Sequence, residues 1–230
     1  MQKKNTSQAQ KKIFLRAEGD AYFKRNQGAL AKLAAEAPHD PVVEALERSG
    51  VKPRSILEIG CSTGWRLAYL QKKFGAECHG VDPSGDAIRA GLRRHPRLQL
   101  RRGTADRLPF GAGQFDLVIF GFCLYLCDRS DLFKIACEAD RVLQNNGHLA
   151  LLDFAPPLPY RNEYQHQPGL CSYKMDYAAM FTWNPAYVPI YHIKISHGGA
   201  QGVQAPNDRV GASVLLKRGT EEYPQVVWPA

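Results

Sequence analysis

The sequence predicts an α/β protein built on a doubly wound, mostly parallel sheet with helices on both faces. Three observations predict it. Apolar, strand-like runs alternate with amphipathic helical stretches between residues 55 and 154. The first run, Ile56–Ile59, passes into a glycine turn, Gly60–Gly64, and then into a helix. The second, Glu77–Val81, ends on a carboxylate, Asp82. Strand, glycine turn and helix bring the backbone close to a ligand at a helix N-terminus, and a carboxylate at the next strand tip suits a pair of ribose hydroxyls.

In chain order, residues 1–12 read as frayed and basic. Residues 13–36 read as one helix, with Phe14, Ala17, Ala21, Leu30, Leu33 and Ala34 on its apolar side and Gly28 as the candidate interruption. Asp40 and Pro41 start a second helix that Gly50 stops. The period then changes. Strands are expected at Ile56–Ile59, Glu77–Val81, Leu98–Arg102, Phe115–Phe120 and His148–Phe154. Helices are expected at Arg66–Phe74, Gly85–Arg94 and Arg129–Leu143, with a turn at Asn145–Gly147. Residues 155–182 break the pattern as a long, proline-rich, aromatic loop, the kind that is usually functional in a compact domain. Tyr187–Ser196 and Ala212–Lys217 read as an antiparallel pair at the sheet edge, joined by a loop over 197–209. The expected organisation is therefore an N-terminal helical lid (1–50), a main domain (51–219) with a capping insert at 155–182, and a tail (220–230).

Composition narrows the class. The chain has 230 residues, 44% of them hydrophobic, enough for one domain with a full core. No apolar run reaches the ~18 residues of a membrane span. The basic N-terminus has no apolar segment behind it, so no secretory signal is expected. The six cysteines are expected as reduced core residues of a cytoplasmic protein, and Cys123 and Cys127 lack the second pair that a zinc site would want. The net charge of +8 is dispersed, which suits a solvated surface better than a nucleic-acid face and is compatible with anionic small substrates.

The glycine turn admits three readings. A nicotinamide fingerprint wants glycine at the positions held by Ser62 and Trp65, so its close approaches fail. Gly60-Cys61-Ser62-Thr63-Gly64 also matches the hydrolase elbow, with Ser62 as nucleophile and Asp153 and His166 following in order. That elbow normally follows several strands, whereas everything before residue 55 here reads as helix or coil. The third reading rests on five stretches: Leu57–Gly64, Val81-Asp82-Pro83-Ser84, Gly103–Phe110, Phe115-Asp116-Leu117-Val118, and Val142-Leu143 with Gly147-His148-Leu149. With these motifs in this order, residues 54–154 resemble the class I S-adenosylmethionine-dependent methyltransferases, in the group with a ubiquinone/menaquinone-methyltransferase-like (type 11) domain.

The resemblance implies a Rossmann-like methyltransferase fold, S-adenosylmethionine as cofactor, and roles by position. Glu58 and the backbone of Gly60, Cys61, Ser62 and Gly64 lie by the methionyl part. Asp82 holds the ribose hydroxyls and Pro83 borders the adenine. Asp106 accepts from the adenine amino group beside Ala105. Gly121 and Phe122 lie near the sulfonium, and Tyr22 and Arg25 of the N-terminal helix join this set and wall the acceptor. Ser62 stands where the family usually has glycine. The acceptor is expected to be a small molecule, such as a sugar or secondary metabolite. Oxygen, nitrogen and carbon acceptors all stay open, as does a SAM-binding protein without catalysis or a regulatory subunit.

Methyl transfer needs in-line alignment, and a base only for a hydroxyl or protonated amine. His166, Tyr164 and Arg161, in the polar segment after the fifth strand, are the candidate catalytic residues. Asp153 and His192 are further candidates for base or orienter, His192 reading better as a strand residue.

Overall fold

The strands at the centre are almost wholly apolar, as strands covered on both faces must be. The computed structural model describes residues 10–197, 208–219 and 221. Its main sheet contains β1 (Ser55–Ile59), β2 (Glu77–Asp82), β3 (Gln99–Arg102), β4 (Phe115–Gly121) and β5 (Leu143–Phe154), paired in parallel. A separate hairpin, β6 (Tyr160–Glu163) and β7 (Cys171–Lys174), follows. β8 (Tyr187–Ser196) and β9 (Arg209–Lys217) then complete the sheet in the order β3-β2-β1-β4-β5-β9-β8, with β9 antiparallel to both neighbours. The strand order reverses between β1 and β4, which opens the crevice where ligands of such sheets bind.

The N-terminal segment comprises α1 (Gln10–Ile13), a π-helical turn (Phe14–Glu18), α2 (Gly19–Arg25) and α3 (Gln27–Ala35). α4 (Pro41–Arg48), α5 (Trp65–Phe74) and α6 (Gly85–Arg94) cover one sheet face through Val43, Leu46, Leu67, Leu70 and Ile88. α7 (Leu132–Val142) and the short α8 (Ala179–Thr182) cover the other through Ile135, Ala139, Val142 and Phe181. Ile56 and Leu117 join the first core and their neighbours Leu57 and Val118 the second, as the two-residue strand period requires.

Several expectations change. The single helix over 13–36 is broken at Asn26, not at Gly28, because the Asn26 side chain donates to Tyr22 O (2.8 Å) and competes with the helical ladder. Gly19 is required for packing: a Cβ there would lie 2.9 Å from Phe14 O and 3.1 Å from Ser84 N. The expected turn at 145–147 is an irregularity inside β5, with Asn146 at φ 61°. The expected loop at 155–182 contains the β6–β7 hairpin and α8; strands of four mostly polar residues carry no apolar alternation to read. The cysteines are free thiols, but only Cys61 and Cys78 are buried and Cys137 is exposed on α7. Residues 1–9, most of the 197–209 loop, and the 220–230 tail apart from Glu221 lie outside the described residues. Among the described residues no helix is long and apolar enough to cross a membrane.

Candidate active site

The loop after β1 is pinned from both sides. Gly60 (φ 79°) and Gly64 (φ 71°) adopt backbone conformations that favour glycine. A Cβ on Gly60 would lie 2.6 Å from Cys123 Cβ, and one on Gly64 2.8 Å from Leu98 Cδ1. Ser62 is also left-handed (φ 50°), a strained choice at the position where the resembled family has glycine. Its N–H donates to Asp82 Oδ2 (2.9 Å), so the loop is tied to the tip of β2.

Asp82 accepts a second bond from Ser84 N (2.8 Å), and burial pushes its carboxyl up to about 6. Asp106 is held differently. Lys11 Nζ (2.6 Å) and Thr104 Oγ1 (2.7 Å) donate to it, and Lys134 lies at 3.5 Å. Burial opposes its charge, but those donors outweigh it and hold the carboxyl down at about 2. Lys11 also bonds Asp131 Oδ2 (2.7 Å), which ties the N-terminal segment to the Asp106 loop and to the start of α7. Asp20 of α2 accepts from Ser84 Oγ (2.7 Å) and Asp86 N (2.9 Å), so the same segment is tied to the loop after β2.

Glu58 sits 2% exposed in β1 and is ion-paired through Oε1 to Arg66 Nη1. Arg66 also grips Asp40 through Nε (2.8 Å) and Nη2 (2.9 Å), while Asp40 caps α4 by accepting from Val42 N and Val43 N. Burial pushes the Glu58 carboxyl up to about 7 against the pull of Arg66. Its second oxygen, Oε2, is buried without a hydrogen-bond partner among the described residues.

These groups open onto one cavity of about 480 Å³. Of the residues expected at the cofactor, Glu58, Gly60, Cys61, Ser62, Asp82, Pro83, Ala105, Asp106, Gly121, Phe122 and Tyr22 line it. Gly64 does not; it stands at the N-cap of α5. Arg25 does not either; it is paired with Glu18 and Tyr164. From the cofactor loops the wall continues through Tyr125, Phe154, Ile195 and Val210, and beneath Leu30 and Leu33 of α3.

Arg161, Tyr164 and His166, expected beside the acceptor, are not among the residues that line the cavity. Arg161 and His166 are exposed on the β6–β7 hairpin and its connection. Tyr164 donates to the buried Glu18 Oε1 (3.0 Å) and packs edge-on against His166 (5.4 Å), so it fastens the hairpin to the N-terminal segment. Asp153 is spent on backbone: it accepts from Leu124 N (3.0 Å), Tyr125 N (3.3 Å) and Phe154 N (2.8 Å), and burial pushes it up to about 7. His192 bonds Ser213 Oγ (2.9 Å) within the sheet, in keeping with a strand role. The same geometry gives the hydrolase reading no support, because Asp153 accepts from backbone N–H groups and His166 packs exposed against Tyr164.

Sequence reasoning missed Arg66, Asp40, Lys11 and Tyr125. Arg66 had a signal: a cation in the first turn of a helix opposes the macrodipole, so it calls for carboxylate partners. Lys11 and Tyr125 had none, since their partners are about a hundred residues away in the chain.

Comparison with known proteins gives the same picture. Residues 56–147 match a family model described as a methyltransferase domain. An uncharacterized methyltransferase of Synechocystis sp. is 33% identical over 113 residues, covering 49% of this chain and 53% of that protein. A fatty-acid O-methyltransferase of Mycolicibacterium smegmatis is 32% identical over 112 residues, covering 47% and 40%. The chain thus spans about half the length of these relatives, or less. A solved structure of the Burkholderia thailandensis 1,6-didemethyltoxoflavin-N1-methyltransferase, with 1,6-didemethyltoxoflavin and S-adenosylhomocysteine bound, aligns with a TM-score of 0.71. It is 14% identical, with 90% of this chain and 88% of that one covered, a likeness of fold. The sheet reverses beside a pinned glycine loop, acidic groups wait at the strand tips, and the family match spans the same residues: through 56–147 the chain is similar to a methyltransferase domain, carried on a sheet of the Rossmann-like methyltransferase type.

Proposed function

We propose that the chain transfers a methyl group from S-adenosylmethionine to a small-molecule acceptor held in this cavity. The observation that carries the reading is the continuity of one cavity from the cofactor loops to an apolar wall under the N-terminal segment. A protein that only bound the cofactor would have no use for that second half.

The residues fit the cofactor. Glu58 Oε2 is a buried acceptor in want of a donor, which an α-ammonium supplies. Each Asp82 oxygen already takes one backbone N–H and keeps a lone pair for a ribose hydroxyl. Asp106 can share its oxygens between Lys11, Thr104 and an adenine amino group. When bound, S-adenosylmethionine supplies an electrophilic methyl on a sulfonium. The protein's own part is to orient and to exclude water. Phe122 and Phe154 pack edge-on (5.5 Å) in the wall, and the segment from α1 to α3 acts as the lid. The β6–β7 hairpin, expected as a cap on the acceptor, serves instead to hold that lid through Tyr164.

Calorimetry with S-adenosylhomocysteine and with NAD tests the reading. We expect binding of the first at roughly micromolar affinity, the range of a drug-sized ligand with several charge-assisted bonds, and none of the second. NAD binding without S-adenosylhomocysteine binding would overturn it.

A further inference from the structure

The cavity has two chemically different halves, and the difference specifies the acceptor; this inference rests on the methyl-transfer reading above. The cofactor half is rich in carboxylates: Asp40, Glu58, Asp82, Asp106, Asp128 and Asp131 all line it. Lys11 and Arg66 are the cationic side chains of that lining, and both are committed, Lys11 to Asp106 and Asp131, Arg66 to Asp40 and Glu58. Among the described residues of that lining no uncommitted cation is left to replace the water that an anionic acceptor would shed there; a further cation, Lys174, lies with its Nζ 3.7 Å from the centre of the Phe154 ring and is not part of the lining. A cationic acceptor meets a different obstacle, because the methyl it attacks is carried on a positively charged sulfur.

The other half is aromatic. Tyr125 and Phe154 rings lie 5.1 Å apart and edge-on, and Phe122 stands against Phe154 in the same way. Ile195 and Val210 complete the wall. Its polar groups are the phenols of Tyr22, from the N-terminal segment, and Tyr125, from the turn after β4, together with Ser196 and His197, whose ring packs on Phe122 (5.3 Å) and Phe154 (5.4 Å); the two phenols lie close enough to interact with each other. Both rings are partly exposed, so the pair is in reach of solvent. A half-buried hydroxyl pair on an aromatic wall is a place for one hydrogen-bonding group of an otherwise apolar molecule.

We propose that the acceptor is an uncharged aromatic molecule whose nucleophilic hydroxyl or ring N–H is held by the Tyr22–Tyr125 hydroxyl pair. In the transfer an O–CH3 or N–CH3 bond forms. The S–CH3 bond breaks with its electron pair kept by sulfur, and the acceptor's proton leaves through the tyrosine hydroxyls to water. Sugars and phosphorylated or carboxylated acceptors are the molecules this cavity disfavours.

The test uses the full chain saturated with S-adenosylhomocysteine and four probes of one size: naphthalene, 2-naphthol, 2-naphthoate and 2-naphthylmethylammonium, titrated by calorimetry or fluorescence at neutral pH. We expect 2-naphthol to bind at least about tenfold more tightly than the anion or the cation, the step that separates a matched from a mismatched buried polar group. Tyr125→Phe should weaken 2-naphthol and leave naphthalene and S-adenosylhomocysteine unaffected. Equal or tighter binding of 2-naphthoate or of the ammonium overturns the proposal, as does a failure of 2-naphthol to bind a protein that does bind S-adenosylhomocysteine. Retained 2-naphthol affinity in Tyr125→Phe removes the hydroxyl pair from it. Loss of S-adenosylhomocysteine binding itself would instead strike the methyl-transfer reading.

Discussion

Replacing Arg66 with methionine should destabilise the fold by about 3–5 kcal/mol at pH 8, the usual cost of removing one partner of a buried ion pair, and by clearly less at pH 5. The structure supplies the reason. Arg66 is 5% exposed and donates to two buried carboxylates, Asp40 and Glu58. Methionine fills much of its volume but returns none of those bonds. Glu58 already has one oxygen without a partner, so the variant leaves both unmet. The pH dependence follows from burial, which holds the Glu58 carboxyl at about 7, above its ordinary 4.5, even with Arg66 present. A carboxyl raised in the folded state contributes stability that is fully present below its unfolded value and is lost as pH rises through its folded value. Without Arg66, the group that pulls it down, Glu58 moves further up and its loss at pH 8 grows. Asp82 and Asp153 are also raised by burial, but they titrate in parent and variant alike and cancel in the difference. Urea unfolding followed by circular dichroism at pH 5 and pH 8 measures both quantities. Adding Glu58→Gln to the variant should recover part of the loss at pH 8, because no buried charge then remains at that position. Equal losses at the two pH values, or a loss below about 1 kcal/mol at pH 8, would refute the reasoning.

Asp82→Asn should weaken S-adenosylhomocysteine binding by about 1.5–3 kcal/mol in calorimetry, since an amide has one acceptor oxygen where Ser62 N, Ser84 N and the ribose need two. Arg161→Ala and His166→Ala should leave S-adenosylhomocysteine affinity and methyl transfer within about twofold of the parent, as for exposed surface positions; a tenfold loss of turnover in either would return that residue to the site. Backbone amides of α2 and α3 should exchange with deuterium faster than those of β4, because α3 buries none of its side chains, and S-adenosylhomocysteine should slow exchange in α2 through its ties to the loop after β2. Protection of α3 equal to that of β4 would contradict this.

The parts of the fold that were legible are those whose cause is local. The β1 run, the glycines at 60 and 64 and the helix after them, expected from Arg66 and observed from Trp65, each follow from backbone chemistry within a dozen residues. Asp40 before Pro41 marked its own helix cap in the same way. The alternation of strand and helix then leaves few topologies, because crossovers are right-handed. The β6–β7 hairpin was illegible for the converse reason. Its strands pair Tyr160 with Lys174 and Glu163 with Cys171 and are only four residues long and mostly polar, so neither period nor apolar content marks them.

The candidate site divides along the same line. Strand-tip carboxylates could be placed because their position in the sheet defines them, and Asp82 and Asp106 both reach the cavity. What each carboxylate is bonded to could not be placed. Lys11 finds Asp106 across 95 positions, Arg66 finds Asp40 across 26, and Tyr164 finds Glu18 across 146. His166 looked catalytic because it is a titratable residue in a polar stretch after the last parallel strand. That stretch turns into a hairpin, and a hairpin sends its connection outward, away from the methyl path. Of the aromatic residues that line the cavity, Phe122 was expected there from the resemblance, whereas Tyr125 reads in sequence as ordinary core. Aromatic side chains come to line one cavity here only because the ends of β4 and β5 meet the turn after β4 beneath α3, and that is a property of the assembled sheet rather than of any segment of it.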